Sequence, residues 1–190
     1  RIAFRDVWYQ YEDEDEPALR GVSFDLPADR TLAVVGRTGS GKSTLVRMIP
    51  RLLDPDAGTV EIDGHDLRTL PLSTVRRHMG YVPQDVFLFS DTVANNIAFG
   101  ALDAERAEIR QAAAEADLTE NVEEFPDGFD TYVGERGITL SGGQKQRTSI
   151  ARALIRDPRV LIFDDALSAV DTATERNILG SLRERQGSHT

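Results

Sequence analysis

The sequence predicts an α/β fold: a parallel-stranded core, a small antiparallel β element towards the N-terminus, and a helical insertion in the middle. Three observations predict it. Short apolar runs at 31–35 and 160–163 alternate with stretches of helical pattern, which is how parallel strands joined by helical crossovers read. A glycine-rich run, Gly36 to Gly41, lies between the first apolar run and a helix. Between about 85 and 157 the pattern is almost entirely helical. A length of 190 residues, 40% of them apolar and 28% charged, suits a globular chain with a core of its own.

The elements follow in order. Residues 2–9 and 22–26 alternate apolar and polar, as half-buried strands do. The acidic run Glu12 to Glu16, closed by Pro17, reads as a solvated loop between them. Residues 31–35 read as a short apolar strand, and Lys42 to Leu53 as a helix that Pro50 kinks or ends early. Thr59–Ile62, the pair Asp63-Gly64 and His65–Leu67 make a tight hairpin. Residues 72–78 read as helix, Tyr81-Val82 as a strand end, and 91–124 as mostly helix, including the alanine-rich 104–116. Ser141 has the place of an N-cap for a helix reaching Ile155, and Asp157-Pro158 stops it. A buried strand, 160–163, and a helix over 172–185 complete the chain, with no repeats and no low-complexity linker.

Composition excludes several classes of function. The net charge of −10 argues against a surface that coats nucleic acid. There is no cysteine, so neither a disulfide framework nor a thiolate metal site is available. No apolar run approaches the roughly 20 residues of a membrane-spanning helix. The chain opens in mid-pattern without an initiator Met, as a piece of a longer protein would. Of 22 basic residues only Lys42 and Lys145 are lysine, and a compact point charge kept in an arginine-rich background invites a chemical reason.

Lys42 stands in Gly36-Arg37-Thr38-Gly39-Ser40-Gly41-Lys42-Ser43, followed by Thr44, a P-loop pattern preceded by an apolar run and followed by a helix. Glycines let backbone N–H groups converge on phosphate oxygens, and the helix start favours an anion. In that pattern Lys42 reaches the β- and γ-phosphates of ATP, and the Ser43 hydroxyl can ligate Mg²⁺. Residues 160–163 run into Asp164-Asp165, two acids at the carboxyl edge of the sheet, where ligands bind in open α/β folds. Alone the pair could equally cap a helix; beside a P-loop, Asp164 reads as the water-mediated Mg²⁺ ligand and Asp165 as the base facing the attacking water.

Leu140-Ser141-Gly142-Gly143-Gln144, between the P-loop and the double-acid strand, resembles the signature of the ATP-binding cassette (ABC) family, and the resemblance runs along essentially the whole chain. It implies a P-loop NTPase core over 1–84 and 158–190, with its small antiparallel β-subdomain, and a helical subdomain over 85–157 that carries the signature. It implies that Ser141, Gly142, Gly143 and Gln144 grip the γ-phosphate of an ATP held by a second nucleotide-binding domain, in a head-to-tail dimer. Tyr11 matches the family's adenine-stacking aromatic, and Gln84 matches the glutamine that approaches Mg²⁺ and senses the membrane domain. Ser168–Asp171 matches the loop that crosses to the opposite subunit. Tyr132–Gly137 resembles a segment typical of exporters. Phe87-Leu88-Phe89 resembles the face that receives the transporter's coupling helices, and part of it is expected to be exposed.

The implied function is ATP binding and hydrolysis, with ATP and Mg²⁺, driving export through a transmembrane domain on the same or a partner chain, at the cytoplasmic face of the cell membrane and without nucleic acid. Asp165 stands where competent family sites carry Glu, and one missing methylene withdraws the carboxylate by about an ångström from a base that needs contact within about 3 Å. The run Asp164–Asp171 resembles the Asp-containing half of heterodimeric multidrug-type exporters, so this chain's own site is expected to be slow, or even a regulatory half. The family's switch histidine would follow the 172–185 helix, beyond the last residue; His189 reads as a loop residue, and His65 and His78 suggest no zinc site. Two further classes share the signature. DNA-repair relatives need a long coiled coil between Gln84 and Ser141, and no heptad repeat stands there. Ribosome-acting paired cassettes need a second cassette, and the exporter-like 132–137 segment speaks against them.

Overall fold

In the computed structural model, residues 1–134 and 137–187 are described, and they fall into two compact units, Arg1–Arg77 and the chain from His78 onward. The first unit is built on a four-stranded antiparallel sheet in the order β2-β1-β3-β4. Its strands are β1 (Ile2–Tyr9), β2 (Leu19–Leu26), β3 (Ala57–Ile62) and β4 (His65–Asp66). Apolar residues of β1 supply the buried side, Phe4 and Val7 among them, and Phe4 stacks on Phe24 across the β1–β2 pair at 4.6 Å. The β3–β4 turn is the expected Asp63-Gly64, with φ of 50° and 81°, the pair of positive values a two-residue hairpin demands.

Helix α1 (Lys42–Met48) ends sooner than Leu53. Arg51 takes a left-handed φ of 52°, Leu52 N donates to Arg47 O at 2.9 Å, and Arg51 N donates to Met48 O at 3.0 Å. That is a Schellman stop closed around Pro50, which cannot continue the helix. Helix α2 (Leu72–Arg77) closes the unit. The strand expected at 31–35 is not formed: those residues belong to neither sheet, and Val35 is 88% exposed. Apolar composition makes a strand only where a neighbour takes up its N–H and C=O groups, and no described strand pairs with this one.

The second unit joins β5 (Met79–Val82) and β6 (Val160–Phe163) in parallel, register Met79 to Val160 through Val82 to Phe163. Of β6 only Ile162 is buried, so the strand expected to be buried throughout is half-covered, consistent with a sheet of two strands. The helices are α3 (Val93–Ala98), α4 (Arg106–Glu115), α5 (Thr119–Glu123), α6 (Gly142–Leu154) and α7 (Thr172–Gly187). The stretch expected to be mostly helix, 91–124, holds the first three of these, and the alanine-rich one, α4, ends just before Asp117, held at φ 54°. Helix α6 is central: Ile150, Ala151 and Leu154 join Ile97, Ala113, Val122 and Ile178 in one core. No described helix is long and apolar enough to cross a membrane.

Candidate nucleotide site

In the first unit the P-loop residues wind tightly. Ser40 N donates to Arg37 O at 3.2 Å, and Gly41 takes φ 85° immediately before α1. A Cβ at Gly41 would lie 2.5 Å from the Ala18 carbonyl, so glycine is required there twice over, by conformation and by space. Lys42 folds its ammonium back over the loop, with Nζ donating to the carbonyls of Gly36 at 3.0 Å and Arg37 at 2.9 Å. Thr44 is buried, and its Oγ1 lies 3.1 Å from the Tyr11 hydroxyl. Tyr11 also meets the edge of Tyr9 at 5.0 Å between ring centroids, so the candidate adenine platform is held from two sides. Thr38, Gly39 and Ser40 lie on the turn before α1, and Ser43 on the first turn of α1.

In the second unit the parallel register brings the other candidates to one sheet edge. Gln84 follows β5 by two residues and Asp164-Asp165 follow β6 directly, so all three stand at the carboxyl end of the pair. Asp164 is only 5% exposed and accepts from the Tyr81 hydroxyl at 3.0 Å. Gln84 Nε2 donates to Asp165 Oδ2 at 3.4 Å. Tyr81 carried no motif; its signal is the register itself, one residue before the end of β5 beside a strand that runs into an acid.

The signature lies at the start of α6. Ser141 Oγ accepts from Gln144 N at 3.2 Å, and Gln144 Oε1 accepts from Ser141 N at 2.9 Å, a reciprocal capping box. A hydroxyl that accepts in this way still has its proton to give. Ser141, Gly142 and Gly143 border an open hollow completed by Arg147, Ala169 and Asp171. Gln146, buried on the apolar side of α6, fastens the crossing loop: its Oε1 accepts from Ala169 N at 3.0 Å and its Nε2 donates to Ser168 Oγ at 3.4 Å. A glutamine at a helix position spaced with Ser149, Ile150 and Ala153 was the available signal for that role. Asp171 caps α7 by accepting from Ala173 N at 3.0 Å and Thr174 N at 3.1 Å. Hydrogen bonds from the Thr174 side chain first, then from backbone N–H groups, hold its carboxyl below the usual carboxylate range. Phe87 is 67% exposed and Leu88 packs into the core, so the 87–89 face is divided as expected. Glu135, Arg136 and His189 lie outside the described residues.

Comparison with known proteins gives the family. A family model described as ABC transporter matches residues 19–168. The ATP-dependent lipid A-core flippase of Vibrio cholerae serotype O1 is 49% identical over 190 residues, covering all of this chain and 33% of the flippase. ATP-binding cassette sub-family B member 6 of Xenopus tropicalis is 46% identical over 96% of this chain and 21% of its own length. A solved structure of a bacterial Atm1-family ABC exporter with ATP bound superposes with a TM-score of 0.92 at 44% identity, over 97% of this chain and 32% of that one. This chain is an ATPase domain of the ABC transporter family, with the family's P-loop core, small antiparallel sheet and helical subdomain. It spans a third or less of the length of these relatives.

Proposed function

We propose that the chain is the ATP-driven motor of an ABC exporter, working through a transmembrane domain on the same or a partner chain at the cytoplasmic face of the cell membrane. The core is 1–84 with 158–190, and the helical subdomain is 85–157. The observation that supports this most strongly is the junction of Gln84, Asp164 and Asp165 at one sheet edge, in a chain that also carries the P-loop and the signature in family order. Relatives described as a lipid A-core flippase and an Atm1-family exporter point to transport as the use of that ATP.

The roles follow the motifs residue by residue. Gly36 to Gly41 and Thr44 cradle the phosphates, Lys42 places its charge on the β- and γ-phosphates, and Tyr11 stacks on the base. Ser43, Asp164 and Gln84 are all oxygen donors, a set suited to a hard cation such as Mg²⁺ rather than to zinc. Bound Mg²⁺ would neutralise phosphate charge. The buried Asp164, oriented by Tyr81, has the fixed position such a ligand requires. Asp165 is the general base, one methylene short. The partner is a second nucleotide-binding domain with Glu at that position, so the dimer is a heterodimer and this chain is its slowly hydrolysing half. The decisive experiment is calorimetric titration of Mg·ATP into the chain and its Lys42→Ala variant, then transport by the complete assembly. Unchanged ATP affinity in the variant would contradict the phosphate assignment.

A further inference from the structure

Arg152 lies near the C-terminal end of α6, the helix that Ser141 caps at its other end. Its guanidinium is threaded between two elements rather than solvated. Nε donates to the Asn96 carbonyl at 2.8 Å, Nη2 to Asn96 Oδ1 at 3.0 Å, and Nη1 to the Phe87 carbonyl at 2.9 Å. Its Cζ lies 5.6 Å from the Phe89 ring centroid and 5.9 Å from that of Phe99. Burial pushes its pKa below the usual arginine value, the mark of a charge withdrawn from water.

Asn96, on α3 and fully buried, spends the rest of its amide on the same stretch. Phe89 N donates to Asn96 Oδ1 at 2.8 Å, and Asn96 Nδ2 donates to Phe89 O at 3.0 Å. The backbone at 89 is thus clasped in both directions from α3, and the backbone at 87 is held from α6. The turn that follows α3 meets α6 without slack: a Cβ at Gly100 would lie 2.1 Å from the Arg152 carbonyl. Outside this polar knot lie the rings of Phe87 and Phe99, both exposed, joined through Phe89 at 5.1 and 4.4 Å. A buried polar network is tolerated only when fully satisfied, and its chief effect is to fix one geometry. Here it fixes an exposed aromatic face to the body of α6.

We propose that Arg152 is the positioning residue through which a displacement of the Ser141 end of α6 is delivered to the Phe87–Phe89–Phe99 face. This rests on the reading above, in which Ser141 engages a second subunit's ATP and the aromatic face receives the membrane domain. Only arginine fits: a lysine ammonium is a point charge and cannot bridge the Asn96 and Phe87 carbonyls while its head stays beside the Phe89 and Phe99 rings.

The test uses the complete transporter in lipid nanodiscs, with spin labels at the outer ends of two membrane helices. The label distance is measured with and without Mg·ATP, and ATP affinity is measured on the same samples. Arg152→Lys should bind ATP within about twofold of wild type, since it lies outside the nucleotide contacts, yet lose most of the ATP-induced distance change. Phe99→Leu, a conservative change at an exposed ring, should lose part of it. A full distance change in both variants overturns the proposal. If Arg152→Lys does not fold, Phe99→Leu decides alone: a reduced change supports the proposal and a full one overturns it. A wild-type protein that binds no ATP, or shows no distance change with it, sinks the motor function rather than the role of Arg152.

Discussion

Gln84 Nε2 donates to Asp165 Oδ2 at 3.4 Å, and Asp165 holds this contact from a left-handed backbone, φ 54°. Aspartate and asparagine enter that region more readily than other side chains with a Cβ, because a short polar group can bond locally. On the proposed reading, the same shortness that suits the backbone withdraws the carboxylate from the attacking water. Position 165 therefore sets local conformation against reach.

Asp165→Glu restores the reach. In the complete assembly the variant should hydrolyse faster at this chain's own site, with a gain of up to about 10²-fold, the lower range of a general-base contribution. It should also lose about 1 kcal/mol of stability, because glutamate is less at ease at positive φ. Single-turnover hydrolysis and a thermal melt measure the two effects separately. No gain in rate would mean that geometry at 165 is not what limits the site.

Lys42→Ala removes the charge that now lies on the Gly36 and Arg37 carbonyls. Hydrogen bonds to charged groups contribute about 1.5–3 kcal/mol, so ATP affinity should fall by about 10- to 100-fold. Tyr11 and Thr44 remain in contact, so binding of the base should persist. Comparing ATP with adenosine by calorimetry separates the two: ATP affinity should fall and adenosine affinity should not.

Much of this was legible in the sequence, and the limits have physical causes. The P-loop, the Asp63-Gly64 turn and the Ser141 cap were readable because each depends on residues within a few positions. The strand at 31–35 was not decided by its own residues, since a strand exists only through its neighbours. The Schellman stop at Arg51 was hidden because arginine seldom takes positive φ, although Pro50 announced an early end. Arg152 could not be found at all: its partners at Asn96 and Phe87 lie 56 and 65 residues away, and a lone arginine on a helix looks like solvated surface.

The chain alone should turn over ATP slowly. In the proposed function Asp165 is a short base, and the signature beside the hollow at Ser141, Gly142 and Asp171 acts on a second subunit's nucleotide. Steady-state turnover should stay below about 1 s⁻¹, the low end of ordinary enzymes. Addition of a Glu-bearing partner domain should raise the total rate.

Acid should weaken the first unit in a defined window. Arg51 holds the Asp54 carboxyl, and Arg68 the Asp66 carboxyl, below the usual carboxylate range, in each case chiefly by side-chain hydrogen bonds. A carboxyl whose folded pKa lies below its unfolded value stabilises the fold above that unfolded value, about 4, and loses the contribution as pH falls through the folded one. Asp54 is half exposed, so its pair with Arg51 contributes less than about 1 kcal/mol. Urea unfolding should show Asp54→Asn below wild type at pH 7, with the gap closing as pH falls below the unfolded value of about 4 and through the lowered folded one.

On the proposed function this chain contributes more through its signature than through its own base, and a pair of variants separates the two. Gly142 has room for a side chain, since a Cβ there meets only Ala169 Cβ at 3.6 Å, whereas Gly143 would press on the Ala169 carbonyl at 3.0 Å. Gly142→Asp therefore adds a carboxylate facing a phosphate without disturbing the helix start. The measurement is ATPase activity and transport of the reconstituted complex carrying Gly142→Asp or Asp165→Asn. Gly142→Asp should nearly abolish both activities, while Asp165→Asn should leave most of each. Equal damage from the two would contradict that reading and make this chain a full catalytic half, with aspartate as a working base.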